Sequence, residues 1–204
     1  MPIHAVIFDI GGVLTYTVDC SRHKKWEDYL GLQGGRLFDI VDKTGMAHAA
    51  RLGQVSVEEI WQRVQTFYRL DDEQMQELEQ DFWSGGAFNR QLANFLSSLR
   101  PRYKTALLSN AWQGARARVS QDFRLNEIVD LMLFSAEEGL AKPDPRFYQL
   151  ALSRLEVQAE ETVFLDDKSE NVDAARVLGM RGVRYETNEQ AMAEIEACFI
   201  SRRV

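Results

Sequence analysis

The residues that most often staple, kink or ligate zinc are scarce in this chain: two cysteines, four prolines and three histidines among 204 residues. Cys20 and Cys198 stand far apart and away from any histidine cluster, so neither a disulfide framework nor a zinc site is expected. Both read as free thiols of a reducing compartment. His4, His23 and His48 lack metal-ligand spacing and read as ordinary surface or capping residues. Long apolar runs are missing as well. No stretch of about 18 apolar residues occurs, and Met1-Pro2-Ile3-His4 enters the first apolar segment without the charged and apolar regions of a signal peptide. Membrane spanning and secretion are therefore not expected, and a cytoplasmic location is. Nor is there a surplus of positive charge, since 24 Lys and Arg against 31 Asp and Glu give a net charge of -7. That balance argues against nucleic acid or an anionic membrane as a partner. What remains is a globular composition, 45% hydrophobic and 27% charged, in a chain long enough to bury a sizeable core.

Residues 5–14, Ala-Val-Ile-Phe-Asp-Ile-Gly-Gly-Val-Leu, organise the rest. Four apolar residues run into one carboxylate and a glycine pair follows, the pattern of a strand buried on both faces that ends in a tight turn. Asp9 is thereby expected at the carboxyl end of a core strand, where open α/β sheets bind ligands, with Gly11 and Gly12 letting the backbone pass close by. From about residue 21 to 100 the pattern is helical without a strand. Ser56 and Glu59 form a capping box ahead of Ile60, Val64 and Phe67, and another helix starts near Asp71 and stops before Gly85-Gly86. Trp26, Trp61, Phe67, Phe82 and Trp83 are expected to pack between these helices. From Phe88 onward helices alternate with apolar strands over 103–108, 129–134, 162–165 and 182–185. Asp144, between two prolines, caps the helix that follows it, and Thr187 with Gln190 caps the last.

Alternating strands and helices call for a parallel sheet with helices on both faces. Asp9, Ser109-Asn110 and Asp166-Asp167 each follow a buried strand, so all should share one carboxyl edge, and Lys142 can reach the same crevice. One polar strand end is a turn; three with a lysine make a site. A carboxylate such as Asp9 can displace an alcohol from a phosphate monoester. A Mg2+ held by Asp9, the Gly11 carbonyl, Asp166 and Asp167 would offset the charge, because hard oxygen ligands suit that ion. Lys142 adds a fixed positive charge, and the Ser109 hydroxyl and the Asn110 amide or backbone NH can hydrogen-bond the transferring oxygens. Asn171 supports the helix start after Asp167.

The order of a strand with Asp9, a strand with Ser109-Asn110, Lys142-Pro143 and a strand with Asp166-Asp167 resembles the four motifs of the haloacid dehalogenase superfamily over essentially the whole chain. Phe8-Asp9-Ile10-Gly11-Gly12 and Leu108-Ser109-Asn110-Ala111-Trp112 look closest to its branch of sugar-1-phosphate phosphatases and epoxide hydrolase amino-terminal domains. The resemblance implies an α/β fold, a Rossmann-like three-layer core over 1–15 and 88–204 with a mostly parallel sheet, and an inserted all-helical cap over 16–87. It also implies a Mg2+ requirement, an aspartyl intermediate and a small phosphorylated metabolite as substrate, in a monomer or homodimer.

One position departs from the pattern. Many family phosphatases carry a second aspartate two residues after the nucleophile as general acid and base, and here that residue is Gly11. Three readings stay open: a phosphatase for substrates whose leaving group needs little protonation or is protonated by water or a cap residue, a dehalogenase-like enzyme, or a weakly active or non-catalytic protein that binds a ligand or partner. The Asp166-Asp167 pair favours the first, because displacing halide needs no cation and paired acids without one repel. Tyr16, His23, Trp26, Arg51 and Trp112 are candidates to line the closure between cap and core, with Gly85-Gly86 and residues 15–19 as hinges.

Overall fold

Apolar side chains at every position of 5–8 demand cover on both faces of a strand. The computed structural model, which describes residues 1–32 and 36–200, supplies that cover. The chain forms strands β1 (Ala5–Phe8), β2 (Thr15–Thr17), β3 (Gly86–Phe88), β4 (Lys104–Ser109), β5 (Leu131–Phe134), β6 (Thr162–Asp166) and β7 (Arg181–Arg184). Five of them make one sheet in the order β5-β4-β1-β6-β7, and every pairing in it is parallel. Successive side chains on a strand point to opposite faces, and the core divides accordingly. Val6 and Phe8 join Leu107, Val163 and Leu165 against helices Arg90–Leu99 and Asn188–Ile200. Ala5 and Ile7 join Ala106, Leu108 and Phe164 against helices Pro145–Leu155 and Ser169–Val177. The result is a three-layer α/β fold with its central strand first in sequence. Of the expected core segment, 201–204 lie outside the described residues, as do 33–35 of the helical segment.

Helices between residues 21 and 82 bury a third apolar cluster, built on Trp26, Leu37, Ile60, Trp61, Leu78 and Phe82. Two capping boxes start its longer members: Ser56 with Glu59 opens Val57–Tyr68, and Asp71 with Gln74 opens Asp72–Phe82. Asp144 and Thr187 cap their helices as expected. Three expectations need correction. The stretch read as wholly helical contains β3, which pairs antiparallel with β2 where a hinge was expected; three-residue strands are too short to show a period. Phe67 and Trp83 are 48% and 42% exposed rather than packed inside. His23 is buried, edge-on to Phe38 at 5.3 Å, rather than lying on the surface. No helix among the described residues is long and apolar enough to cross a membrane.

Candidate active site

The register of the sheet brings the polar strand ends together. Phe8 is level with Leu107 on one side and Leu165 on the other, so Asp9 and Asp166 each stand one residue beyond that level, with Ser109 one further along β4. The Asp9 amide closes the ladder on the Leu165 carbonyl at 2.8 Å, and its own carboxylate accepts from the Ile10 amide at 2.7 Å. The turn after β1 depends on Gly12. Its φ is +83°, and a Cβ there would lie 2.5 Å from Asp167 Oδ2, so only glycine lets the first turn approach that carboxylate. Gly11 is different: its φ is not in the left-handed region, and a Cβ would meet nothing within 4 Å.

Lys142 joins the segments. Its Nζ lies 2.8 Å from Asp9 Oδ1 and 2.7 Å from Asp166 Oδ2, with the side chain only 1% exposed. Asp166 is fully buried and accepts also from the Lys168 amide and from Asn171 Nδ2 at 3.1 and 3.0 Å. Tyr148 steadies Asn171 by donating its hydroxyl to the Asn171 carbonyl at 3.0 Å. Asp167 is the contrast, because its Oδ1 is buried without a hydrogen-bond partner. Oxygens of Asp9, Asp166 and Asp167 all lie within 4.8 Å of one another. Burial foremost, and Asp166 beside it, push the Asp9 carboxyl up to about 6 despite the nearby Lys142 ammonium. Burial and then the Asp166 charge raise Asp167 as well.

Three carboxylates thus face one ammonium, an excess of two negative charges. At an effective dielectric of about 20, each pair at this separation repels by about 3–4 kcal/mol. The orphaned Asp167 oxygen costs about 1–3 kcal/mol more. An all-oxygen cluster with that excess fits a hard divalent cation. Among the described residues the Gly11 carbonyl accepts no backbone hydrogen bond.

Asp9, Lys142, Asp166 and Asp167 converge, as the sequence suggested, and buried Ser109 makes no side-chain hydrogen bond among the described residues. The Asn110 side chain does something else. Its Nδ2 donates to the Lys142 carbonyl and its Oδ1 accepts from the Lys142 amide, both at 2.8 Å, so the side-chain amide is committed to the chain rather than to a ligand. Asn171, in the first turn of helix Ser169–Val177, grips Asp166 and so ties the helix start to the strand end. Ser135, which bonds both the amide and the carbonyl of Ala111, had no sequence signal at all. Of the residues considered for a lining, Trp26 donates to Asp81 inside the helical cluster, Arg51 pairs with Asp42, and Tyr16 sits exposed on β2.

Comparison with known proteins gives the same frame. A family model for haloacid dehalogenase-like hydrolases matches residues 3–179. The chain is 27% identical over 220 residues to bifunctional epoxide hydrolase 2 of Sus scrofa, covering 96% of this chain but 39% of that protein. It spans well under half the length of several relatives, yet 97% of the D-ribitol-5-phosphate phosphatase of Bacteroides thetaiotaomicron, to which it is 26% identical over 95% of its own length. Among solved structures, a HAD-like family hydrolase from Porphyromonas gingivalis superposes with a TM-score of 0.78 at 21% identity, covering 99% of this chain and 100% of that one. A magnesium complex of a HAD family enzyme from Bacteroides thetaiotaomicron gives 0.77 at 21% identity, covering 92% and 96%, and shares the fold. With its family model spanning nearly all of the sheet and with a carboxylate-ended first strand at the sheet's centre, the chain belongs to the haloacid dehalogenase-like hydrolases.

Proposed function

We propose that the chain is a Mg2+-dependent phosphatase of a small phosphorylated metabolite, acting through an aspartyl-phosphate on Asp9. The observation that carries this reading is the acidic trio, Asp9 and Asp166 buried and Asp167 half-buried with an orphaned oxygen, which displacement of halide from carbon would not require. Asp9, Asp166, Asp167 and the Gly11 carbonyl would hold the ion, which supplies charge neutralisation to the phosphoryl oxygens when bound. The Asp9 carboxylate attacks phosphorus, the ester P–O bond breaks and the alkoxide leaves. Water then attacks the acyl phosphate, releasing phosphate and restoring Asp9. Lys142 holds a positive charge 2.8 Å from the nucleophile as negative charge accumulates, and the unengaged Ser109 hydroxyl is free to donate to a phosphoryl oxygen. Asn110 serves by keeping Lys142 in place.

Two further elements belong to this reading. Residues 16–87 act as a cap that closes over the core of 1–15 and 88–204 and excludes water. Substrates are phosphate esters of small alcohols or sugars, supported by the relationship to a D-ribitol-5-phosphate phosphatase. Gly11 favours a second reading, ligand binding with weak turnover, because no carboxyl group stands there to protonate the leaving alcohol.

The test is a panel of phosphate esters and 2-haloacids assayed with Mg2+ or chelator, in the natural chain and in Asp9→Asn. Metal-dependent phosphate release that disappears in Asp9→Asn is expected. Halide release in chelator would instead make the chain a dehalogenase, and thermal stabilisation by Mg2+ and phosphate without turnover would leave it a binding protein.

A further inference from the structure

The short segment after β4 touches the nucleophile's lysine at one end and the helical cluster at the other. At its start, Asn110 exchanges two hydrogen bonds of 2.8 Å with the Lys142 backbone. In its middle, the fully buried Ser135 hydroxyl accepts from the Ala111 amide at 2.9 Å and donates to the Ala111 carbonyl at 3.2 Å. At its far end, Trp112 leaves the sheet edge and packs on the helical cluster: it stacks on Phe82 at 5.6 Å with planes 19° apart and meets Trp61 edge-on at 5.9 Å. Gln113 adds a bond from its Nε2 to the Gly53 carbonyl at 3.0 Å.

We propose that residues 110–113 couple docking of the helical segment to the placement of the Lys142 ammonium, with Trp112 as a positioning residue for the site. The inference rests on the phosphatase reading for its kinetic consequence and on contact geometry alone for the coupling. Ser135 holds Ala111 at both backbone groups, so the segment pivots there rather than stretching. A shift of Trp112 with the helices is therefore passed to Asn110, and among the described residues the Asn110 side chain bonds only to Lys142. Lys142 in turn has its Nζ within hydrogen-bonding distance of both Asp9 and Asp166, where small displacements weaken both contacts. Docked helices thus set the charge beside the nucleophile, and undocked helices release it.

The experiment compares Trp112→Ala, Trp112→Phe and the natural chain by amide hydrogen exchange and by kinetics with p-nitrophenyl phosphate. The Lys142 amide, held by Asn110, is expected to exchange at least about tenfold faster in Trp112→Ala, with β1 amides unchanged and Trp112→Phe restoring most of the protection. The turnover number is expected to fall by up to about 100-fold with KM nearly constant, as for a displaced catalytic group. Faster exchange at Ile60 and Leu78 with Lys142 unchanged would show that Trp112 merely packs the helices, and would overturn the coupling. Should Trp112→Ala also accelerate β1, the same two outcomes are read from Trp112→Leu. A natural chain without Asp9-dependent phosphate release would sink the phosphatase reading alone, because the exchange comparison decides the coupling by itself.

Discussion

At the scale of single residues, the proposed chemistry turns on Asp9 and on what stands two positions after it. Burial raises the Asp9 carboxyl from 3.8 to about 6, so between those values the folded chain binds the proton more readily than the unfolded one. Stability contributed by Asp9 is therefore present at low pH and is lost as pH rises through that window. In chelator, the melting temperature of the natural chain minus that of Asp9→Asn is expected to fall as pH is raised from about 4 to about 6, and Mg2+ should flatten the fall. A difference that rises with pH would mean that Lys142 outweighs burial. Gly11→Asp places a carboxyl group where a Cβ meets nothing within 4 Å. It is expected to speed hydrolysis of alkyl phosphates by about 100-fold if the new group protonates the leaving oxygen. Unchanged rates on those esters would disprove the account of the missing acid. Asp9, Asp166 and Asp167 were legible because each ends or follows an apolar strand, and Lys142 because its loop reaches the same edge. Asn110 was legible as a position but not as a role, since nothing in the sequence says whether an amide faces a ligand or a neighbouring backbone.

At the scale of elements, signals of two kinds were strong. Continuous apolar runs of three or four residues marked four of the five strands of the sheet, all but β7, and side-chain caps marked helix starts at Ser56, Asp71, Asp144 and Thr187. The Ser56 hydroxyl accepts from the Glu59 amide at 3.1 Å while Glu59 bonds back at 2.7 Å. Ser56→Ala is expected to cost about 1 kcal/mol of stability, measured as a lower denaturant midpoint at constant slope. No change would mean that tertiary packing alone fixes this helix start. What the sequence hid were elements whose stability comes from elsewhere. β2 and β3 exist because each pairs with the other, and no three-residue window carries that information. His23, Phe67 and Trp83 were misplaced for a related reason: aromatic and imidazole side chains suit either side of a helix, and only the packed neighbours decide.

At the scale of the whole molecule, one sheet edge gathers groups that lie up to 158 positions apart in the chain, from Asp9 to Asp167, and the helical segment packs beside it through Trp112 and Gln113. A chain of net charge -7 that also gathers three carboxylates, two of them buried, around one ammonium has a group that could hold a cation. The most direct test of that claim is an acid-quenched mass spectrum of the chain mixed with excess phosphate ester and Mg2+. A phosphoryl group on the peptide that carries Asp9, absent in chelator and absent in Asp9→Asn, is the expected result. Steady release of phosphate with Asp9 never modified, or modification that proceeds equally well without a divalent cation, would contradict it.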